Sequence, residues 1–132
     1  MRLTPSTQIS LYDLDNELIE LANLYKNNKL PNKILLTGPK GSGKSTLAYH
    51  LINFILSQNE DFSYDIKNFC INKENKAFKL IQNNSNPNFI LVDIIDEKKN
   101  IDISQIRNLK KNLEKTSFNN KPIFILIDNI EF

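Results

Sequence analysis

GPKGSGKS, residues 38–45, constrains this 132-residue chain more than any other stretch. It satisfies G-x-x-x-x-G-K-[ST] at every position. It also stands where that pattern has a physical meaning, between the short apolar run KILLT (33–37) and a helical pattern that opens at Lys44. Glycines at 38, 41 and 43 let the backbone turn sharply and point successive N–H groups inward. Those groups and the following helix N-terminus form a concave site for anions. Lys44 adds a point charge for outer phosphates, and the Ser45 hydroxyl can reach Mg²⁺. The nucleotide-binding candidates are Gly38, Pro39, Lys40, Gly41, Ser42, Gly43, Lys44, Ser45 and Thr46. All three glycines of the chain lie in this loop, where backbone freedom is needed. The loop selects a class of ligand and leaves the reaction open, because kinases, GTPases, motors and switches share it.

The rest of the chain supplies a frame. DLDNELIELANLYKN (13–27) places Leu14, Leu18, Leu21 or Ala22, and Tyr25 on one stripe, which predicts a helix closed by Asn27, Asn28 and Pro31. A second helix is predicted from Lys44 to Ser57, with Leu47, Ala48, Leu51, Ile52 and Ile55 as its apolar face. Residues 59–88 are hard to read beyond one short helix near Lys76–Gln82 and an Asn-rich loop ending at Pro87. KILLT (33–37) reads as a short buried strand, and FILVDI (89–94) and PIFILID (122–128) read as the second and third strands. Between them Asp102 and Gln105 form a capping-box pattern ahead of a helix carried inward by Ile103, Ile106, Leu109 and Leu113. Near-continuous apolar strands separated by helices predict an α/β fold with a parallel sheet covered on both faces. Neither an internal repeat nor a domain boundary shows, so residues 1–132 read as one domain.

Asp128 ends the last apolar run. In a parallel sheet that begins with the phosphate loop, it can share the carboxyl edge with Ser45 and hold Mg²⁺ through a water. The metal candidates are therefore Ser45 and Asp128. Asn129 follows directly, and an amide cannot take a proton from an attacking water. Loss of a general base costs about 10²–10⁴ in rate. Glu131 is close in sequence but shares a face with residue 129 only if the strand continues. Nucleotide binding is thus better supported than hydrolysis, and no residue is promoted as catalytic.

The bulk properties exclude several classes. One cysteine, Cys70, allows neither an intrachain disulfide nor a Cys-based zinc site. The N-terminus lacks the apolar core of a signal peptide, and no stretch is long enough to span a bilayer, so a cytoplasmic location is expected. A net charge of +2 does not argue for nucleic acid by itself. His50, the single histidine, is expected on a solvated or half-buried face without a catalytic part, and Cys70 as a small buried or half-buried residue. Tyr12 and the helix after it either border a base pocket or pack on the sheet.

Four segments in order resemble the N-terminal part of bacterial DNA polymerase III delta-prime subunits, clamp-loader proteins of the AAA+ class. They are LPNKILLTGPKGSGKSTLAYHLINFIL (30–56), NPNFILVD (86–93), IDISQIRNLKKNL (101–113) and FILIDNIE (124–131). The resemblance implies a P-loop NTPase of AAA+ type: a three-layer sandwich whose parallel sheet, ordered 5-1-4-3-2, would be incomplete here. Only its first three strands would be present, and the chain would be truncated after the strand ending in Asp128. It also implies ATP and Mg²⁺ as ligands. The implied partners are other subunits of a hetero-oligomeric ring, the sliding clamp and primed DNA, within a holoenzyme that is a DNA-directed DNA polymerase. Many relatives carry a four-cysteine zinc module between the first helix and the second strand. Here only Cys70 remains, so no zinc is expected. The family's His and Asp before the second strand are Asn86 and Asn88 here. Two other functions compete. An active AAA+ DNA motor wants an acid where Asn129 stands. A small-molecule kinase wants an Arg-rich lid, yet Arg occurs only as Arg2 and Arg107. A GTPase is weaker still, since no Asn-Lys-x-Asp pattern follows Asp128.

Overall fold

The structure is a computed structural model that describes residues 4–36, 43–83, 85–93 and 121–128. Among the described residues, three helices and two strands occur in the order α1 (Asp15–Lys26), α2 (Lys44–Leu56), α3 (Lys76–Gln82), β1 (Phe89–Asp93) and β2 (Phe124–Asp128). The chain divides into two compact units, Met1–Ser85 and Asn86–Phe132.

In the first unit, α1 buries Leu18 and Ala22, one turn apart on the predicted stripe. Asp15 and Glu17 in its first turn and Lys26 in its last complement the helix dipole. The helix stops because Asn28 adopts a left-handed φ of 57°. Asn28 N–H then donates to Tyr25 O (3.0 Å) and Lys29 N–H to Leu24 O (2.8 Å). These are the paired bonds of a Schellman motif, with asparagine in the position glycine usually fills. The Lys26 ammonium lies 5.6 Å from the centre of the Phe54 ring and helps join α1 to α2.

α2 is the core of this unit. Burial extends from Thr46 through Leu56 on every side, beyond the single apolar face that its periodicity predicts. Two polar side chains on that helix become interior groups. Asn53 and Asn75, both fully buried, exchange amide hydrogen bonds: Asn53 Nδ2 donates to Asn75 Oδ1 (3.1 Å) and Asn75 Nδ2 to Asn53 Oδ1 (2.8 Å). Asn75 Oδ1 also accepts from Phe78 N–H (2.7 Å) as the N-cap of α3. The Glu60 carboxylate accepts the Lys76 and Ala77 N–H groups, so side chains satisfy the first three amides of α3.

His50 corrects the expectation of a solvated or half-buried face, since none of it is exposed. Its Nε2 lies 3.0 Å from the Gln8 carbonyl, and its Nδ1 lies 2.6 Å from the Tyr64 hydroxyl. A carbonyl only accepts, so Nε2 carries the proton and Nδ1 accepts from the tyrosine. Tyr64 meets the His50 and Phe54 rings edge-on, with centroids 5.4 and 6.2 Å away. Burial holds the histidine below its ordinary pKa, against the raising effect of the Gln8 carbonyl. Burial, first, and the neighbouring Cys70, Asp15 and Asp65 push the Tyr64 hydroxyl up.

The stretch between α2 and α3 is knit by hydrogen bonds. Cys70, half-buried as expected, bridges to Ser10 and to Asp65. The Asp65 carboxylate accepts from Lys67 N–H (3.1 Å), Asn68 N–H (3.2 Å) and Asn68 Nδ2 (2.8 Å). The bonds from Asn68, above all, hold its pKa below the usual carboxylate value. Among the described residues no group of three or more His, Cys, Asp or Glu is placed to hold a metal.

In the second unit β1 and β2 pair in parallel, from Phe89 opposite Phe124 to Asp93 opposite Asp128. Buried Asn88 latches the start of both strands. Its Nδ2 donates to Lys121 O and Pro122 O, each at 3.2 Å, and its carbonyl accepts from Phe124 N–H at 2.8 Å.

The expectation of three strands needs correction. Residues 33–36 of the predicted strand at 33–37 form no ladder, and Ile34 and Leu35 are 42% and 66% exposed. A strand needs backbone partners on at least one side. In the order that the resemblance implies, the neighbours of this segment would be the fourth and fifth strands. The helix predicted after Asp102 lies outside the described residues. No described helix is long and apolar enough to cross a membrane.

Candidate functional site

The start of α2 carries the described end of the G-x-x-x-x-G-K-[ST] motif. Gly43 is the N-cap, with φ 87° and ψ 9°, a left-handed conformation that side chains rarely adopt. The motif's last glycine is therefore needed on backbone grounds. Its carbonyl accepts the first helical hydrogen bond, from Leu47 N–H at 2.9 Å. Lys44 and Ser45 follow at once and occupy the first turn of α2, both half-buried, with Thr46 buried behind them. No acidic residue lies in that first turn, and its N-cap, being glycine, contributes no side chain. The turn carries a lysine and a hydroxyl at a helix N-terminus, residue types suited to an anion and its counter-ion. These residues fit a nucleoside triphosphate with Mg²⁺: Lys44 would hold phosphate and Ser45 the metal, and the metal would neutralise phosphate charge.

Gly38, Pro39, Lys40, Gly41 and Ser42 lie outside the described residues, as do Asn129 and Glu131. Asp128 is the last residue of β2 in the second unit, at the carboxyl end of the parallel pair. Asp93 stands opposite it in register at the end of β1. Sequence reasoning passed over Asp93, although FILVD and FILID differ at one position and carry the same signal. Tyr12 is 69% exposed in the segment before α1.

In the first unit, sequence reasoning also passed over Leu14 as a neighbour of the motif. It had counted only as part of the α1 stripe. It lies against Gly43, so that a Cβ on the glycine would come within 3.2 Å of Leu14 Cδ1. No local signal joins positions 14 and 43.

A family model described as DNA polymerase III, delta subunit, matches residues 14–132. That span takes in all three helices, both strands and the whole phosphate-loop motif. No curated protein matches the chain, and no solved structure does.

Proposed function

The chain belongs to the DNA polymerase III, delta subunit, family, and from that premise we propose that it is a delta-prime-like subunit of a replication clamp loader. In this reading it binds ATP with Mg²⁺ at the loop that ends in Gly43, Lys44 and Ser45, with Asp128 as a second metal ligand. It joins other subunits in a ring that loads the sliding clamp onto primed DNA. Its own hydrolysis is weak or absent. The observation that carries the role is the family match across residues 14–132. ATP binding is supported by the complete motif and by the left-handed Gly43 opening α2. Weak hydrolysis is supported by Asn129, an amide where a motor would need a proton acceptor.

Two experiments separate this reading from its competitors. The full chain, mixed with the other clamp-loader subunits encoded in the same genome, should co-elute with them on size exclusion. Failure to join them would refute the role. Steady-state ATP turnover should be slow in the wild type and rise in Asn129→Glu. A wild type that already turns over at motor speed would refute the account of Asn129.

A further inference from the structure

Gly43 is the joint between the phosphate loop and α2, and a glycine there is free to leave the left-handed region unless something holds it. Leu14 is placed to do so. Its Cδ1 lies where it would meet a Cβ on Gly43 at 3.2 Å. Leu14 is itself well anchored. It is the residue just before α1, and its carbonyl accepts from the N–H of fully buried Leu18 at 3.0 Å. The segment leading to it is tied at three points: His50 Nε2 to Gln8 O (3.0 Å), Ile71 N–H to Ile9 O (2.8 Å) and Leu11 N–H to Phe69 O (3.0 Å). Leu14 therefore reaches Gly43 from a fixed frame.

We propose that Leu14 is a positioning residue for the phosphate grip, holding Gly43 in its left-handed conformation so that the N–H groups of Lys44 and Ser45 keep one orientation. The proposal rests on the ATP-binding reading above. It assigns a specific duty to a residue that carries no polar group and touches no phosphate. Truncation to alanine removes the methyl groups beside Gly43 and leaves a void that the surroundings fill only in part. The joint then samples other conformations, and a pre-organised anion site becomes one that binding must organise.

The test uses the full chain and four variants: Leu14→Ala, Leu14→Val, Leu14→Met and, as a packing control on α3, Ile81→Ala. A fluorescent ATP analogue is titrated into each, with affinities referred to the folded fraction. Amide hydrogen exchange without nucleotide is followed at Leu47, bonded to Gly43 O, and at Ser57, bonded to Asn53 O at the far end of α2. Leu14→Ala should weaken binding about tenfold, roughly 1.4 kcal/mol. Leu14→Val should do so less, and Leu14→Met should return to within about twofold of wild type, as a volume-conserving swap. Ile81→Ala should lower the melting point while its folded fraction binds as wild type does. Exchange in Leu14→Ala should quicken at Leu47 and not at Ser57. Wild-type affinity in Leu14→Ala, or in Leu14→Val should the alanine variant not fold, overturns the proposal. Failure of the wild type to bind the analogue overturns the ATP reading instead. Unchanged Leu47 exchange in the variants would then show that Leu14 does not hold Gly43 either.

Discussion

Replacing Asn53 by aspartate changes one NH₂ group into an oxygen at nearly constant volume, inside the most buried polar contact of the first unit. Asn53 and Asn75 are 1% and 0% exposed, so neither amide has water as an alternative. In Asn53→Asp the bond from Asn75 Nδ2 can persist. The reverse bond, at 3.1 Å in the wild type, loses its donor, and a carboxylate oxygen then faces Asn75 Oδ1. A lost hydrogen bond costs about 1 kcal/mol and an unsatisfied, desolvated charge several more, which puts the penalty near neutral pH at about 3–4 kcal/mol. A protonated carboxyl avoids it, because its O–H donates to Asn75 Oδ1 and its carbonyl accepts from Asn75 Nδ2. The folded state therefore raises the pKa of the new group above its unfolded value of about 3.9. A raised acid holds its proton in the fold after the unfolded chain has released it. Stability is thus fully present below the unfolded value and lost as pH rises, by about 1.4 kcal/mol per unit, until the folded value is passed. Urea unfolding of wild type and variant at pH 4.5 and pH 7.5 measures the difference, in which titrations common to both chains cancel. The variant should lie close to wild type at the acid end and fall well below it at the neutral end. An equal penalty at both pH values would refute the reasoning about the amide pair.

The wild type should show the opposite limb. His50 is buried neutral with its pKa lowered by desolvation, so the unfolded chain takes up a proton first as pH falls. Stability should decline below pH 6.5, by up to about 1.4 kcal/mol per unit, until the folded histidine also titrates. His50→Gln should flatten that limb in urea titrations across pH 5–7.5. In the second unit, Asn88→Asp would set a carboxylate against the carbonyls of Lys121 and Pro122, where the amide now donates to both. A loss of about 3 kcal/mol is expected by thermal unfolding at pH 7, with Asn88→Ala less harmful than the charged variant.

Those polar contacts mark the limit of what was legible in advance. α3 begins and ends where its pattern places it, and α2 begins at Lys44 as the motif requires, because periodicity and capping are local. Both strands were visible as apolar runs, the first read one residue past its end at Asp93 and the second closed by Asp128. His50 and Asn53 read as the polar side of an amphipathic helix. What buries them is a stretch between residues 57 and 75 that has almost no periodicity and is organised by single contacts such as Tyr64 to His50 and Asn75 to Asn53. The run at 33–37 had the composition of a strand, yet composition cannot supply a neighbour. At the candidate site, the motif announced that Gly43 must be glycine. It could not announce that a leucine twenty-nine positions earlier presses on it.

The central claim is that the turn from Gly43 into α2 grips a triphosphate. Titration of a fluorescent ATP analogue into the full chain, with and without Mg²⁺, tests it most directly when wild type is set beside Lys44→Ala. Saturable, Mg²⁺-enhanced binding by the wild type that disappears in Lys44→Ala is the predicted result; equal binding by the two proteins would contradict the account.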